Sequence, residues 1–525
     1  MTTTPRAYRA TTPIYYVNAR PHLGHAYTTV VADAVCRWHR LLGHETHLLT
    51  GTDEHGLKIQ RAAEAEGVTP KAFVDGVAPL YAAAWERLSV RVDDFIRTTE
   101  PRHAAGVRAL LSACHAAGDI ESDTYRGHYC VACEAYYLES DLVGGNCPIH
   151  ARAVEYVEED NWFFRLSRFE GRLLDWYAAH PDCITPRHRL NEVLGFIRQG
   201  LQDFSISRRS LTWGIPLPWD PTQVTYVWFD ALTNYLSAVG YGQDQAQYEK
   251  WWPVDYHLIG KDIIRFHCVY WPAMLMSADL PLPTRVFGHG FLTKDGQKMG
   301  KSLGNILNPV ELTGKYGADA VRYYFLKEIE FGRDGDFNET RFVQVLNADL
   351  ANDLGNLLNR TISMAKKYCQ LQVPALDVAA IEPEHPLKAL GDALSDRVRL
   401  AYENLAFSEV CHLILELVQT GNRYLDQAAP WTRYKEGNTA AVAEILYTVL
   451  ESVRLGAYWL SPIVPALSTN IYKQLGYSVD FENSLKLQAK VVLESHDRWG
   501  TLKPSQALAD PTPIFRALEL PATDH

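Results

Sequence analysis

The N-terminal part of the chain contains a strand, a helix and a second strand in close succession. Thr12–Asn18 is a short β-branched and aromatic run that ends in a turn-prone Asn-Ala-Arg-Pro, and apolar residues then recur at helical spacing from Leu23 to Leu42. Thr46–Gly51 has the composition of a buried strand. A strand–helix–strand unit of this length predicts a parallel sheet with a right-handed crossover. In such sheets the turn after the first strand is a ligand-binding position.

The rest of the chain continues this pattern and then becomes helical. Helical patterning is expected over about 58–117, and short strands are expected in the Gly-, Tyr- and Cys-rich segment 119–162. A second block of strands and helices follows at Val224–Gly240, Asp255–Leu275 and Thr284–Thr293. Beyond about Ala318 the pattern is helical throughout. The sequence therefore predicts an α/β domain that is interrupted by an insertion and followed by an all-helical domain.

Length, charge and cysteine content exclude several classes of protein. A chain of 525 residues predicts about three domains. The formal net charge of −11 argues against nucleic-acid binding by bulk electrostatics, so such a partner would have to meet local basic patches. No run approaches the roughly 20 apolar residues that span a bilayer, and no secretory signal is evident, which predicts a cytoplasmic protein with no membrane partner. Nine cysteines, an odd number, do not indicate a disulfide framework.

The turn after the first predicted strand has the sequence RPHLGHAY. His22 and His25 flank Gly24 at the start of the predicted helix. Helix N-termini attract anions, two imidazoles there can donate hydrogen bonds to a phosphate, and the glycine lets a ligand approach the backbone. The alternative is a pair of histidines near a helix cap, or one histidine that is simply exposed.

The second predicted strand ends in the segment TGTDEHG. Asp53 there would lie at the carboxyl edge of the sheet, where open α/β sheets hold ligands, and its carboxylate could pair with a substrate ammonium group. The alternative is a carboxylate that caps the following helix.

The segment KDGQKMGKSLGN, Lys294–Asn305, superficially resembles a phosphate-binding P-loop. It is not one, because the glycine spacing is wrong, Asp295-Gly296 already makes a turn, and Gly304 and Pro309 interrupt the helix that a P-loop requires. What remains is a glycine-rich loop with Lys298 and Lys301 three residues apart, whose charges could offset a polyphosphate. The alternative is a solvated basic loop.

Four side chains have the spacing of a zinc site: Cys130, Cys133, Cys147 and His150 form a C-x2-C pair and a C-x2-H pair. Two close pairs of soft ligands are typical of a tetrahedral structural zinc, and a set of four leaves no position open for water. The alternative is two unrelated thiol pairs, and His128 is interpreted as a bystander. The remaining six cysteines stand singly among apolar residues, as buried thiols do.

Together these segments resemble class I aminoacyl-tRNA synthetases, and within that class the methionyl-tRNA synthetase family. HLGH is similar to the signature His-Ile-Gly-His, and KMGKS is similar to Lys-Met-Ser-Lys-Ser. TTPIYYVN, TGTDEHG, YVWFDALTNYL, HLIGKDI and FHCVYWPAML are similar to further segments of that family, so the resemblance covers nearly the whole chain. It implies a Rossmann-like catalytic domain with a zinc-knuckle insertion, followed by a helical-bundle anticodon-binding domain. The implied boundaries are 1–117 and 223–285 for the two halves of the catalytic domain, 118–222 for the insertion, 286–350 for a stem-contact region with the KMGKS loop, and 351–525 for the helical domain.

The resemblance also implies the roles of the candidate site residues. His22 and His25, with Gly24, would contact the ATP phosphates, and Lys298 and Lys301 would stabilise the pyrophosphate side of the transition state. Asp53 would bind the ammonium group of methionine. The methionine side chain would be lined by Ile14, Tyr16, Trp228, Leu232, Tyr235, Ile263, His267 and Trp271. Mg²⁺ would accompany ATP, and one structural Zn²⁺ would be held per chain.

In the helical domain the resemblance implies an anticodon site. Asn352, Asn356 and Arg360 follow one another at i, i+4 and i+8, and Trp431 would add a stacking surface for the CAU anticodon of initiator and elongator methionine tRNA. The chain stops soon after PTPIFRALEL, without the C-terminal dimerising module of some family members, so a monomer is expected. Gly300 departs from the family pattern, where a serine is expected, and should alter the closure of the loop without abolishing activity.

The implied reaction has two steps: methionine reacts with ATP to give methionyl-adenylate and pyrophosphate, and methionine is then transferred to the terminal adenosine of the tRNA. Two other functions stay open at this point. A stand-alone nucleotidylyltransferase would use only the histidine turn and the lysine loop, but it has no need of an anticodon site. A non-catalytic, tRNA-binding paralogue would not need the histidines, the lysines or Asp53, all of which are present.

Overall fold

The computed structural model describes residues 6–131, 135–137, 139–148, 151–298, 307–483 and 495–520. The strands are β1 (Ala7–Tyr16), β2 (Glu45–Asp53), β3 (Asp94–Arg97), β4 (Ile120–Cys130), β5 (Ala135–Tyr137), β6 (Glu155–Phe164), β7 (Ile184–Thr185), β8 (Phe204–Ser205), β9 (Ser207–Arg208), β10 (Val224–Thr225), β11 (Tyr256–Gly260), β12 (Val286–His289), β13 (Leu292–Lys294), β14 (Gln297–Lys298) and β15 (Gly335–Phe337).

The helices of the N-terminal two thirds are α1 (Leu23–Leu41), α2 (Leu57–Glu66), α3 (Pro70–Arg87), α4 (Pro101–Ala116), α5 (Glu170–Ala179), α6 (Arg187–Arg198), α7 (Val227–Leu232), α8 (Asn234–Ser237), α9 (Gln245–Trp251), α10 (Trp271–Ser277), α11 (Pro309–Tyr316) and α12 (Ala318–Glu328). Those of the C-terminal third are α13 (Glu339–Leu346), α14 (Asn356–Tyr368), α15 (Pro386–Glu403), α16 (Phe407–Ala428), α17 (Pro430–Lys435), α18 (Thr439–Leu460) and α19 (Pro465–Gln474). Phe266–Tyr270 and Asn347–Gly355 are π-helical.

A six-stranded parallel sheet in the order β3-β2-β1-β11-β12-β7 organises the N-terminal half. From β1 the chain first builds outward through β2 and β3, and later returns to the other side of β1 with β11 and β12. The strand order therefore reverses between β1 and β11. At such a switch point the loops leave the carboxyl ends of the strands in opposite directions and open a crevice for a ligand.

The predicted strand–helix–strand unit is confirmed as β1, α1 and β2, which are paired in parallel. The expectation of continuous helical patterning over 58–117 is wrong at one place, because β3 extends the sheet beyond β2 between two helices. The tetrapeptide Asp-Phe-Ile-Arg of β3 has too few residues to display strand alternation, so its pairing with β2, rather than its own pattern, decides its conformation.

The predicted insertion contributes to three sheets, one of which is the two-stranded pair of β9 with β10. Strands β5, β4, β6 and β8 form a four-stranded antiparallel sheet, in which β4 and β6 pair over ten residues from Ile120↔Phe164 to Tyr129↔Glu155. The short strand β7, from the same stretch of sequence, instead pairs with β12 at the edge of the six-stranded sheet. The insertion is thus attached to the central sheet by backbone hydrogen bonds as well as by the chain itself.

The C-terminal third is built of helices that pack on the N-terminal half through a buried charged cluster. Asp33 of α1 accepts hydrogen bonds from Arg37 and pairs with Arg322 of α12, both at 2.7 Å, and all three side chains are almost fully buried. Arg322 also donates to the carbonyl of Ile463 after α18, and Arg37 donates to the carbonyl of Phe481, each at 2.8 Å. The helix α1 is therefore bound at its middle to the C-terminal helices.

Within the part of the chain that the structure describes, no helix is both long enough and apolar enough to cross a bilayer.

Candidate active site

The histidine turn lies at the carboxyl end of β1 and forms the N-terminal cap of α1. His22 is the N-cap residue: its Nδ1 accepts a hydrogen bond from the backbone N–H of Gly24 at 3.1 Å. The backbone N–H of His22 in turn donates to Nδ1 of His25 at 3.4 Å. The two imidazole rings stack with 3.6 Å between their centres. This is a reciprocal capping box made of two histidines, which confirms the cap alternative. Contact with a phosphate is compatible with this geometry and stays a prediction.

Burial and the cap together determine the chemical state of both imidazoles. Because each Nδ1 accepts from a backbone N–H, the single proton of the neutral ring resides on Nε2. Burial lowers the pKa of His22 to about 4. Burial, with smaller contributions from the charges of His22 and Lys58, also lowers the pKa of His25 well below its usual value. Both rings are neutral at physiological pH and each has an Nε2–H donor with which to contact an anion.

Two contacts join the histidine turn to the strands and loops around Lys298. Thr28, one turn into α1, has its hydroxyl 2.7 Å from Nε2 of His289 at the end of β12. The backbone N–H of Leu23 donates to the carbonyl of Leu307 at 3.1 Å. The chain that follows the lysine loop is therefore bound to the same turn that presents the two imidazoles.

The lysine loop begins as a tight hairpin between β13 and β14. Asp295 and Gly296 both have positive φ, 51° and 74°, which confirms the predicted turn and has the signs of a type I′ turn. The backbone of Lys298, in β14, pairs with that of Thr293 in β13. Lys301 and Gly300 lie outside the described residues, as does the rest of 299–306.

Asp53 ends β2 directly beside the turn. It is in register with Tyr16 of β1 across the parallel pair, and only 3% of its surface is exposed. Asp53 does not cap a helix: the N-cap position of α2 is Gly56. The carboxylate is thus held at the switch point of the sheet in a largely dehydrated position, where a cationic group would be attracted more strongly than in water.

The apolar residues predicted for the side-chain pocket belong to one apolar cluster that also includes residues of β2, β3, β11 and β12. Tyr235 donates from its hydroxyl to Nε2 of His267 at 2.7 Å, and Nδ1–H of His267 donates to the carbonyl of Ile263 at 3.0 Å. Burial lowers the pKa of His267 to about 4, so the ring is neutral. Tyr235 and Trp271 have ring centres 6.0 Å apart. The apolar residues predicted for the pocket all belong to this cluster: Ile14, Tyr16, Trp228, Leu232, Tyr235, Ile263 and Trp271.

A buried His–Asp–His network, which the sequence did not indicate, supports this site. Asp230 of α7 accepts hydrogen bonds from Nδ1 of His55 and from Nε2 of His103 in α4, both at 2.6 Å. Burial alone would raise the pKa of Asp230, but the charges and hydrogen bonds of the two histidines outweigh it and hold that pKa at about 2. His55 is two residues from Asp53, so the network fixes the end of the TGTDEHG segment against α4 and α7.

Replacing Asp230 with asparagine should lower the free energy of unfolding by about 2 kcal/mol, because two buried imidazoles then share one amide that accepts only through its oxygen. Denaturant unfolding followed by fluorescence would measure the change. Asp175→Asn, at an exposed carboxylate of α5, serves as the control and should leave stability within about 0.5 kcal/mol. Equal losses in the two variants would contradict a supporting role for the network.

The predicted zinc ligands lie in the insertion, and the structure describes two of them. Cys130 ends β4 and Cys147 follows a turn closed by Val143 and Asn146, and both cysteines are 1% exposed. Gly144 and Gly145 in that turn have positive φ, 59° and 77°, as expected of the predicted tight knuckle. Cys133 and His150 lie outside the described residues, and among the described residues no group of three potential ligands is assembled. The thiol chemistry and burial of the two described cysteines are compatible with zinc.

The predicted anticodon residues lie on the surface of the helical third. Asn352 belongs to the π-helical segment, Asn356 and Arg360 to α14, and all three are exposed. Arg360 donates to the carboxylate of Asp426 near the end of α16 at 2.5 Å. Trp431, in α17, is 38% exposed. The i, i+4 spacing on which the sequence argument depended passes through a π-helical segment, whose wider turn the sequence did not predict.

Comparison with protein families supports this geometry. The model described as class I tRNA synthetases (M) matches residues 8–156 and 138–362. The model described as the anticodon-binding domain of methionyl-tRNA ligase matches residues 381–518. The two matches cover both the parallel-sheet half and most of the helical third.

Comparison with individual proteins agrees. The chain is 55% identical over 522 residues to the methionine–tRNA ligase of Thermosynechococcus vestitus, covering 98% of each chain. It is 48% identical to the chloroplastic/mitochondrial methionine–tRNA ligase of Arabidopsis thaliana, covering 97% of this chain and 83% of that one. The structure of Mycobacterium tuberculosis methionyl-tRNA synthetase in complex with methionyl-adenylate superposes with a TM-score of 0.90 at 41% identity, covering 97% and 99%.

Proposed function

The chain belongs to the methionyl-tRNA synthetase family of class I aminoacyl-tRNA synthetases and acts as a methionine–tRNA ligase, and from this premise we propose how its own residues carry out the reaction. The observation that supports the proposal most directly is the histidine capping box. The box has two neutral imidazoles, each with an Nε2–H donor, at the switch point of the sheet, beside the strand end that carries Asp53.

In the first step, His22 and His25 donate hydrogen bonds to the ATP phosphates while Asp53 holds the ammonium group of methionine. This arrangement positions the methionine carboxylate to attack the α-phosphorus, and pyrophosphate leaves on the side of Lys298 and Lys301. Catalysis of this step requires positioning and charge stabilisation rather than a nucleophilic side chain. Mg²⁺ bound with ATP would neutralise part of the phosphate charge.

The pocket around His267 suits a thioether. Both ring nitrogens of His267 are already engaged, by the hydroxyl of Tyr235 and the carbonyl of Ile263, so the imidazole has no remaining hydrogen bond for a more polar side chain. Tyr235 and Trp271 supply aromatic surface, with which the polarizable sulfur of methionine interacts favourably. A substrate side chain with a hydroxyl or a charge would lose its hydration there without compensation.

In the second step, methionine is transferred to the 3′-terminal adenosine of methionine tRNA, whose anticodon loop we place on α14 and α17. Asn352, Asn356 and Arg360 offer amide and guanidinium groups to base edges, and Trp431 offers an exposed indole face. Arg360 is paired with Asp426 when no RNA is bound, so tRNA binding must exchange or extend that ion pair.

Methionine-dependent exchange of pyrophosphate into ATP tests the first step, and charging of methionine tRNA tests the second. Exchange without charging would favour a stand-alone nucleotidylyltransferase. The absence of exchange with methionine would favour a non-catalytic paralogue and would overturn the proposed roles of the histidine turn.

Replacing Trp431 with alanine should raise the KM for methionine tRNA about tenfold, since stacking of a base on an aromatic side chain contributes about 1–3 kcal/mol. The rate of pyrophosphate exchange should not change, because α17 contains no residue of the crevice. Steady-state charging and exchange assays on the same preparation would measure both. An equal loss of exchange and charging would contradict the separation of the two sites.

We also propose that Cys130, Cys133, Cys147 and His150 hold one structural zinc ion, which would stabilise the knuckles of the insertion. Metal analysis of protein purified without added metal should give about one zinc per chain, and the Cys147→Ser variant should give much less than half of that. As a control, Cys369→Ser replaces a cysteine of the helical third and should retain the metal. Equal zinc contents in all three proteins would contradict the assignment.

The domain boundaries, the monomeric state and the cytoplasmic location remain predictions. A relative with 48% identity is named as chloroplastic/mitochondrial, so membership of the family does not by itself specify the compartment.

A further inference from the structure

Two tyrosines outside the predicted anticodon residues form an exposed aromatic pair on the helical third. Tyr368 is the last residue of α14, and Tyr434 lies in α17, three residues after Trp431. The rings of Tyr368 and Tyr434 have centres 4.3 Å apart with 31° between their planes. Tyr434 is 43% exposed and Trp431 is 38% exposed, which places both among the few large apolar side chains of the described residues that face solvent.

Packing against the hydrophobic core holds the tyrosine pair in place. Tyr368 is partly buried and packs against the main hydrophobic core, together with Met364 one turn earlier in α14. Tyr434 rests on Tyr368 instead of entering the core, so its outer face remains available. A rigid aromatic side chain with one free face loses little conformational entropy when a planar ligand stacks on it.

The position of the pair relates it to the proposed anticodon residues. Arg360 and Tyr368 are both in α14, eight residues and therefore about 12 Å apart along the helix axis. Arg360 contacts Asp426 at the end of α16, and Tyr368 contacts Tyr434 in α17, so both face the corner between those two helices. At about 3.4 Å per stacked base, that distance corresponds to three or four consecutive bases.

The charges around the pair favour a polyanion. Lys367 is exposed with its ammonium group 5.2 Å from the centre of the Tyr368 ring, and Lys435 directly follows Tyr434 and is exposed. Lys366 and Arg433 are nearby in sequence but are paired, with Asp510 and Glu436 respectively. The whole chain has a net charge of −11, so a nucleic acid needs a local basic patch to bind. Lysines beside solvent-facing aromatic rings provide such a patch for a single-stranded nucleic acid.

We propose that Tyr434, supported by Tyr368, is a second base-stacking platform that binds a nucleotide adjacent to the anticodon of the tRNA. Trp431 and Arg360 bind within the anticodon, and Tyr434 extends the surface by one base. This inference rests on the proposed placement of the anticodon loop on α14 and α17. Tyr434 would thus increase the affinity for the tRNA through a nucleotide outside the three anticodon bases.

The test measures binding of the full chain to a synthetic RNA hairpin that carries the anticodon stem and loop. Tyr434→Ala should weaken binding about fivefold or more, and Tyr434→Phe, which keeps the ring, should stay within about twofold of the unchanged protein. Leu400→Ala removes a side chain that is 60% exposed on α15 of the same domain, and should have no effect. Pyrophosphate exchange should be the same for all of these proteins.

Two further hairpins identify the bound nucleotide. Each lacks the base of one nucleotide that flanks the anticodon, on the 5′ or the 3′ side. With the unchanged protein, one of these two hairpins should bind about fivefold or more weakly than the intact hairpin. With Tyr434→Ala, that same hairpin and the intact hairpin should bind equally well, because the stacking partner of the missing base is already absent. The measurement on the unchanged protein tests the proposal even if Tyr434→Ala folds poorly.

Three results would overturn the inference: full affinity of Tyr434→Ala, full affinity of both base-deleted hairpins, or a loss of affinity in Tyr434→Phe equal to that in Tyr434→Ala. A failure of the proposed anticodon placement has a different signature. In that case Trp431→Ala would also bind the intact hairpin with unchanged affinity.

Discussion

Replacing Lys301 with alanine should slow methionine-dependent pyrophosphate exchange by about two to three orders of magnitude, the usual result of removing a group that stabilises transition-state charge. Negative charge accumulates on the leaving pyrophosphate, and an ammonium group delivered by the loop offsets it. The chain is held in place on both sides of the loop. The β13–β14 hairpin precedes the loop, and after the loop the carbonyl of Leu307 accepts a hydrogen bond from the backbone N–H of Leu23.

The methionine affinity should change little in the same variant, because none of the residues proposed for the methionine pocket belongs to the loop. Exchange kinetics at saturating ATP and an equilibrium titration with methionine would separate the two quantities. Lys294→Ala is the matched control, since Lys294 lies in β13 of the same hairpin but outside the KMGKS segment. An unchanged exchange rate in Lys301→Ala would remove the loop from the mechanism.

Replacing Asp53 with asparagine should raise the KM for methionine about 100-fold or more, which corresponds to about 3 kcal/mol for losing one partner of a dehydrated charge pair. Asp53 is 3% exposed at the end of β2, so water does not replace the missing charge effectively. The KM for ATP should remain within a few-fold, because the proposed contacts to the phosphates come from the histidine turn and not from Asp53. Exchange rates measured against each substrate in turn would show this difference.

The control for Asp53→Asn is Asp75→Asn, at a carboxylate that is exposed and paired with Lys71 and Arg97. It should leave both KM values unchanged, since surface ion pairs contribute little. Comparable increases in the KM for methionine and the KM for ATP in Asp53→Asn would indicate a general disturbance of the crevice and would contradict a specific contact with the ammonium group.

The sequence predicted the parts of the fold that have a repeating local pattern. The β1–α1–β2 unit was recognised because its apolar residues change from strand composition to helical spacing within a few positions. The edge strand β7 was not recognised, since two residues have no periodicity, and it is a strand only because β12 lies beside it. The two π-helical segments were also missed, because an apolar spacing compatible with a 3.6-residue period does not reveal a wider turn that packing imposes.

The same distinction applies to the site. His22, Gly24 and His25 are close in sequence and could be recognised as a group. The burial that keeps the two rings neutral and the capping contacts that leave each Nε2–H as a donor could be seen only in the structure. Asp230 could not be recognised, because its partners His55 and His103 are 175 and 127 residues away and each residue alone has an ordinary local setting. Tyr368 and Tyr434 likewise meet only through the packing of α14 against α17.

The cluster of Asp33, Arg37 and Arg322 limits how this protein could be divided into parts. The two buried guanidinium groups donate to the carbonyl groups of Phe481, Pro462 and Ile463 in the C-terminal third. They also donate to the carbonyl groups of Ser89 and Leu88 in the N-terminal half. Removing that third would take away three of these acceptors and uncover the cluster, and we expect this to cost several kcal/mol out of a total stability of about 5–15 kcal/mol. We therefore expect the N-terminal part of the chain to be markedly less stable on its own. The helix that presents the two histidines is thus held partly by backbone groups that follow α18 and α19, in the same third of the chain as the proposed anticodon residues.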